Sequence, residues 1–597
     1  MAAGAGRSSD DVFAKPPIAV LAIAVLCVGL YSNTWSSPFH FDDAGNIEDN
    51  RYVRVTELGL RPLYEAGFKS PSSSRPVANM SFALNYYLAG YDVTGYHAVN
   101  LLVHFANGVL VYLLALVTLR LSGIRHRERI ALFAALVFTA HPVQTQAVTY
   151  IVQRMSSLAA MFYLLALLLF VRGRLGPAGG RRWALWAGSF ASWLLALGSK
   201  QNAITLPVVL VLYEWFFFRD LSSDWLRRNF KTFLGLAVVL AGVALLYLRG
   251  DPSNLLVGYA DRDFTLAERV LTQLRVVVFY IGLLVFPAPS RLNLIHAFST
   301  SHSLFAPITT LLCLLLLMGL LALAIALARN HRLVSFCMLW FFVHLAVESS
   351  VVSLEMAFEH RLYLPLVGIA LLASWLLFSR SSRKQSWAVG IAVCVVAALG
   401  AATYVRNETW RDGVTLWSDV LAKNPRSHRG HYNLGVQLEA RGRIDEAARH
   451  YTEAIHIAPG FAEAHNNLGM AMAGEGKVGE AIHHYSAALE IDPEFAKAHN
   501  NLGMALSRQG RFDEAELHYA EALRLAPDYA KAHNNLGVTL ARQGRLEEAS
   551  RQFAEALRLE PDYPEARKNL EQASRLMTRS RPRASAAGGL PESPKND

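Results

Sequence analysis

Residues 459–492 read PGFAEAHNNLGMAMAGEGKVGEAIHHYSAALEID, and the same pattern recurs on both sides of them. Pro425, Pro459, Pro493, Pro527 and Pro561 stand 34 residues apart, as do Leu434, Leu468, Leu502 and Leu536, each followed by glycine. A fixed period of this length marks a stacked repeat: one helix pair cannot bury its own apolar face, and each neighbour covers the last. Within the quoted unit His465, Leu468, Gly469, Ala481, Tyr485 and Ala488, closed by Pro493, place large and small residues at helical spacing. The small residues let two antiparallel helices approach closely, and Gly442, Gly476, Gly510 and Gly544 fall in the turn between them. Four full repeats and a capping helix near 563–577 are expected, forming a right-handed solenoid with a concave face.

The period and its contents are those of the tetratricopeptide repeat. Asn433, Asn467, Asn501 and Asn535 precede the repeated leucine, on the first helix of each unit. An amide both donates and accepts, so such a row suits the backbone of a bound acceptor peptide whatever its sequence. A similar row is a feature of the repeat domain of O-linked N-acetylglucosamine transferase. His431, His465, His499 and His533 are a full repeat apart with no second ligand nearby, so they are expected to pack in the seam between helices and to bind no metal. Residues 578–597 are polar and rich in Pro and Gly, as a disordered tail would be.

Upstream of the repeats the chain changes character. Of 597 residues 53% are hydrophobic, and mean hydropathy is +0.25, too apolar for an ordinary soluble protein. Apolar runs able to cross hydrocarbon recur at about 17–33, 97–119, 130–147, 152–171, 183–199, 202–218, 232–248, 305–328, 333–350, 362–379 and 386–405. The expected fold is therefore all-α: a polytopic membrane bundle of about 11 crossings (17–405), a connector (406–424) and a repeat solenoid (425–577). The four cysteines, Cys27, Cys313, Cys337 and Cys394, lie in apolar stretches without ligand spacing and read as buried thiols.

Charge gives the orientation. Residues 411–597 hold 24 basic and 26 acidic residues, so the net +10 of the chain comes from the membrane part. The loops 120–129, 172–182, 219–231, 329–332 and 379–384 together carry 17 basic and 3 acidic residues. Cytoplasmic loops concentrate Lys and Arg, so this excess is a topology signal and needs no nucleic acid. All five loops share one side only if 268–287 does not cross. That segment has Glu268, Arg269, Gln273 and Arg275 in its first half, which suits an interfacial or re-entrant element. The amino terminus (1–16) then lies inside, and the long first loop 34–96, the stretch 249–304, residues 351–361 and the repeats lie outside.

The first outer loop opens with HFDDAGNIEDN (40–50), in which Asp42 and Asp43 raise each other's cost of ionising. Such a pair suits a general base or a metal site.

HFDD, the run RPVANMSFALNYYLAGYDVTGYHAVNLLVH (75–104), HPVQTQAVTYIVQR (141–154), GSKQNAITLP (198–207), EHRLYLP (359–365), RNETWRDGVTLW (406–417) and the terminal repeats resemble, in this order, the transmembrane and tetratricopeptide-repeat-containing family of protein O-mannosyltransferases and its bacterial relatives. The resemblance covers nearly all of residues 20–575. It implies a GT-C glycosyltransferase membrane fold that takes a sugar, mannose or another hexose, from a polyprenyl (dolichyl) phosphate. It also implies that an acidic residue of the first outer loop, here Asp42 or Asp43, stands at the reaction centre. The sequence departs from the animal members at Gln146 and Gln201, where an acid is common.

Transfer with inversion follows from that reading. A carboxylate takes the proton of an acceptor Ser/Thr hydroxyl, and departing lipid phosphate needs cations to meet it. Arg154, Lys200, His360 and Arg361 lie on the outer side of the expected crossings, and Arg154 and Arg361 suit phosphate oxygens best. Arg75, Glu359 and His141 are further candidates, Glu359 to orient His360 or Arg361 and His141 to line the cavity. Since fixed cations can serve throughout, no cofactor and no divalent metal is expected. The alternative function is a membrane-anchored repeat scaffold without transferase activity. Composition and short outer loops favour a bacterial inner membrane with periplasmic repeats over an endoplasmic reticulum membrane with luminal ones.

Overall fold

A computed structural model describes residues 17–580, apart from 249, 252, 261 and 380–384. The expected cytoplasmic terminus 1–16, the basic cluster of loop 379–384 and residues 581–597 lie outside the described residues. Among the described residues the chain is helical, without strands, and it divides into two compact units, Met1–Asn424 and Pro425–Asp597.

In the first unit four helices are long and apolar enough to cross a membrane: Val93–Leu121, Ile151–Leu175, Thr309–Leu327 and Ser386–Glu408. Five shorter apolar helices, Pro17–Leu30, Gln201–Phe217, Phe230–Leu245, Arg332–Leu345 and Pro365–Ser379, accompany them. Thr309–Leu327 leaves Leu312, Leu315, Leu316, Met318 and Leu321 exposed, a surface that only lipid would cover favourably. The thiols are less uniform than expected, since Cys27 and Cys337 are buried while Cys394 is exposed on the last membrane helix.

The run 130–147 is not one straight crossing. The helix Arg127–Ala140 stops at His141, whose extended backbone (φ −74°, ψ 124°) is what a following proline requires, and the chain bends by 50° into Pro142–Val148. Residues 142–153 continue as short helical turns, almost wholly buried, that cover one end of the bundle.

Polar contacts sort the loops into two ends. At one end Asp43 accepts from Val152 N (2.6 Å), His40 Nε2 lies 2.8 Å from Trp410 O, Lys200 pairs with Glu348 (2.7 Å) and Lys423 donates to Leu292 O (2.7 Å). At the other end Arg332 pairs with Asp220, and Arg174 and Arg219 both pair with Glu214. The first end gathers the expected outer segments and the second the basic loops.

Leu266–Val285 is one unbroken helix of 20 residues, which rules out a re-entrant hairpin. Near its start Arg269 Nη2 donates to Glu348 O (2.9 Å), and near its finish Leu284 O lies 3.2 Å from His141 Nε2. Both ends therefore touch the same end of the bundle, the one that gathers the expected outer segments.

In the second unit helix pairs follow the 34-residue period from His428–Glu439 with Ile444–Ile457 to Ala530–Arg542 with Leu546–Leu559. The glycine after each repeated leucine is a contact point. A Cβ at Gly435, Gly469, Gly503 or Gly537 would lie 2.5, 2.7, 3.0 or 2.6 Å from the ring of Tyr451, Tyr485, Tyr519 or Phe553. Gly442, Gly476, Gly510 and Gly544 hold φ of +74° to +81° in the turns, a region glycine enters without strain. The closing helix, Pro564–Ser580, runs past residue 577, so the first residues of the expected tail are helical.

Candidate active site

The two adjacent aspartates have opposite environments. Asp43 is fully buried, and its carboxylate accepts from His40 N (2.8 Å) and Val152 N (2.6 Å), tying the first outer loop to the turns that cover the bundle. Burial pushes its carboxyl well above the usual range, against these two donors, which favour the charged form. Asp42 is exposed, and its backbone N–H donates to the Tyr150 hydroxyl (2.8 Å). Phe41, just before it, is held at φ +46°, a region that an aromatic residue enters only when its surroundings impose it. Its ring packs edge-on to Trp417 (5.6 Å). The strain and the pinned Asp43 together fix where Asp42 emerges.

Trp410 supports this arrangement from below. Fully buried, it lies against the rings of Tyr150 (5.3 Å) and His40 (5.9 Å). Asn407 beside it is buried too, donating to Leu30 O and accepting from Thr149 Oγ1 (both 3.0 Å), so the asparagine of the Asn-Glu-Thr sequon is inaccessible in the folded chain.

The expected phosphate ligands separate into two groups. Arg154 is a strut. It is fully buried between the rings of Phe82 and Tyr96, and its guanidinium donates to Asn100 Oδ1 (2.6 Å), Asn85 Oδ1 (2.5 Å), Ser81 O (3.2 Å) and Tyr96 O (2.9 Å). No donor face is left for a lipid phosphate. His141 is likewise engaged through both ring nitrogens, with Leu284 O (3.2 Å) and Val143 N (3.3 Å). Glu359 orients neither His360 nor Arg361. It accepts from Asn293 N (2.5 Å) and lies 3.2 Å from His296 Nε2, anchoring the 292–296 stretch.

Lys200, Arg361 and Arg75 form the second group, about a carboxylate that the sequence reading missed. Glu348 is buried at the end of an apolar run and pairs with Lys200 Nζ (2.7 Å), which also donates to Ser156 Oγ (3.1 Å). Arg361 donates to Met356 O (3.1 Å) and Glu355 O (2.7 Å). Arg75 Nη1 lies 3.0 Å from Met155 Sδ, and its Nε is buried without a partner. Burial holds the Lys200 ammonium below its ordinary range, with Glu348 opposing and Arg75 and Arg361 adding repulsion. His360 is kept well below the imidazole range by burial and then by Lys200, Arg361 and Arg75, so it is neutral. Its backbone N–H donates to Gln146 Oε1 (2.7 Å), which also lies 3.1 Å from its Nδ1. The amide at 146 thus supplies an acceptor without charge, and Gln201 donates to Ser74 at the rim.

The stretch 146–156 joins the two groups. Tyr150 and Val152 meet the aspartates, Met155 and Ser156 meet Arg75 and Lys200, and Gln146 meets His360. Residues 152 and 156 are about one helical turn apart, so Asp42 and the cations share one region of the outer face. Three cations surround one carboxylate there, a charge balance suited to an anion. Among the described residues no group of three or more His, Cys, Asp and Glu is placed to hold a metal ion.

The asparagine row has another occupation than the one expected. Asn501 Nδ2 donates to Asn466 Oδ1 (2.9 Å), Asn535 to Asn500 (3.0 Å) and Asn569 to Asn534 (2.9 Å), each across to the preceding repeat. Asn467 reaches Tyr432 (3.4 Å) and Asn433 its own helix at Arg429 O (2.7 Å). Asn467, Asn501 and Asn535 thus each use one of their two amide N–H groups to tie their repeat to the preceding one.

Family models described as tetratricopeptide repeat match residues 400–462 and 494–561, and one described as TPR repeat matches 473–510. The chain is similar to the protein O-mannosyl-transferase Tmtc3 of Drosophila melanogaster, 26% identical over 516 residues, covering 73% of this chain and 55% of that protein. The protein O-mannosyl-transferase F38B6.6 of Caenorhabditis elegans is 27% identical over 74% of this chain and 63% of its own length, and human TMTC4, also named a protein O-mannosyl-transferase, 26% over 73% and 65%. The chain therefore spans between half and two thirds of the length of these relatives. Membrane helices and tetratricopeptide repeats in this chain, together with these relatives, support the transmembrane and tetratricopeptide-repeat-containing family of protein O-mannosyl-transferases as its kin.

Proposed function

We propose that the chain is a membrane protein glycosyltransferase. It moves a hexose, mannose in the first instance, from a polyprenyl phosphate to Ser/Thr hydroxyls of polypeptides on the outer face. Asp42 is the general base and Asp43 its positioning residue. The observation that carries this reading is the exposed Asp42 on the same end of the bundle as the buried Lys200 and Arg361 and the half-buried Arg75, grouped about Glu348. A sugar phosphodiester has one negative charge and gains a second as the sugar leaves, so a surplus of fixed cations stabilises the departing phosphate more than the intact donor. Lys200, Arg361 and Arg75 take that role, and the N-terminus of Arg154–Leu175 adds its dipole in the same region. The acceptor hydroxyl approaches over Asp42, loses its proton there and attacks the anomeric carbon from the side opposite the phosphate, inverting it.

The names of the relatives support transfer to protein, and the repeats support polypeptide partners. The distribution of basic loops supports an outer location for the repeats, which in a bacterial host is the periplasm.

Mass spectrometry of outer-compartment proteins from cells with and without this chain tests the reading. Hexose on Ser/Thr that disappears with the chain, and does not return with Asp42→Asn, is the expected result. An unchanged glycan pattern favours the scaffold alternative.

A further inference from the structure

Each of the first three repeats sets one imidazole against another. Nδ1 of His431 lies 2.9 Å from Nδ1 of His450, His465 3.3 Å from His484, and His499 3.0 Å from His518. Ring centroids are 5.2–5.6 Å apart, with planes inclined by 32–39° in all three. The second ligand absent from the sequence reading is thus present, 19 residues downstream on the second helix of the same repeat. The fourth repeat keeps the first ring, His533, but faces it with Gln552 (2.7 Å).

The first ring of each pair is preset for coordination. Nε2 of His431 and of His499 lies 3.1 Å from the carbonyl oxygen of Pro425 and of Pro493, and His533 is 3.4 Å from Pro527 O. A ring whose Nε2–H donates to that carbonyl presents a bare Nδ1 to its partner. This is the tautomer a metal ion needs, and a backbone carbonyl on the far nitrogen is the usual outer support of a ligating histidine. Two nitrogens on one ion, at about 2.0–2.1 Å with an opening between a right angle and a tetrahedral one, stand about 2.9–3.4 Å apart. The three observed separations fall in that interval. Without an ion, a single proton has to fill the gap.

All six rings are half-buried, so an ion reaches them from solvent. One turn before the second ring of each pair stand Glu446, Glu480 and Glu514, of which Glu446 and Glu514 are paired with Arg443 and Arg511 (both 2.7 Å).

We propose that His431 with His450, His465 with His484 and His499 with His518 are three two-histidine sites for a borderline divalent transition ion of the zinc class, with water in the remaining positions. On uptake the second ring loses the gap proton from Nδ1 and takes one up on Nε2, so both rings bind as neutral imidazoles, with no net proton released and no change of oxidation state. Two protein ligands make such an ion exchangeable, unlike the three or four that hold zinc permanently.

The test is titration of the full chain, free of any histidine tag and held in zwitterionic lipid nanodiscs, with Zn²⁺ by calorimetry and with Co²⁺ by its visible absorption. The proposal expects about three ions per chain, one for each pair. The triple variant His450→Gln, His484→Gln, His518→Gln copies the pairing of the fourth repeat and is expected to lose all three. Gln552→His is expected to raise the number to about four. No saturable binding by the wild type, or the same stoichiometry in the triple variant, overturns the proposal. If the triple variant fails to fold, Gln552→His decides alone: a fourth ion supports the sites and an unchanged number overturns them.

Discussion

At Asp43 a carboxylate satisfies two buried backbone donors, while one residue earlier Asp42 faces solvent. Asp43→Asn turns one acceptor into a donor and leaves a buried N–H unpaired, a loss of about 1–3 kcal/mol. The thermal midpoint in nanodiscs is expected to fall accordingly, whereas Asp42→Asn shifts stability by less than about 0.5 kcal/mol and removes transfer. Arg154→Lys cannot replace four spread donor contacts, and it is expected to lower the midpoint as a structural lesion of about 3–5 kcal/mol before any effect on donor binding. His360 and His40 are both held below the imidazole range, in each case chiefly by burial. The unfolded chain takes up protons at these rings as pH falls through about 6.5 while the folded chain does not, so stability present above that pH is lost below it. Melting is expected to drop between about pH 7.5 and 5.5, less steeply in His360→Gln; an equal slope would contradict the assignment. The sequence showed which polar residues stand at the membrane edge, because charge there is costly and conspicuous. It did not show which of them face a ligand. Arg154 and Lys200 look alike in sequence, and only the packing of Phe82 and Tyr96 around the arginine separates them. Glu348 escaped notice because a single carboxylate at the end of an apolar run has no local motif.

The repeat helices were legible because their period is printed in proline, leucine and glycine at fixed offsets, and each helix pair needs only its neighbours. Gly469→Ala is expected to place a methyl group 2.7 Å from the Tyr485 ring and to destabilise the repeats by about 1–3 kcal/mol, seen as earlier proteolysis within residues 425–580. The break at His141-Pro142 was carried by the proline, yet the apolar residues on either side hid it within an apparent crossing. The asparagine row shows the limit of pattern alone, since the same amide can zip two repeats or hold a peptide, and its partner is set by the register of neighbouring units.

For the whole molecule the basic excess and the contacts of the loops agree on two ends, and Leu266–Val285 decides the topology of everything after it. If it lies across the outer mouth, Ser253→Cys and His302→Cys, in a chain cleared of Cys394, react with a membrane-impermeant maleimide from the same side; labelling from opposite sides would show that it crosses. On that outer side the account places one reaction centre. The direct test is the purified chain in nanodiscs, supplied with polyprenyl-phosphate mannose and a Ser/Thr-rich acceptor polypeptide and followed by the intact mass of the acceptor. The account predicts hexose added by the wild type, transfer reduced about 10²–10⁴-fold in Asp42→Asn and about 10²-fold in Lys200→Met, with the donor still bound by Asp42→Asn. No transfer by the wild type, or full transfer by Asp42→Asn, would contradict it.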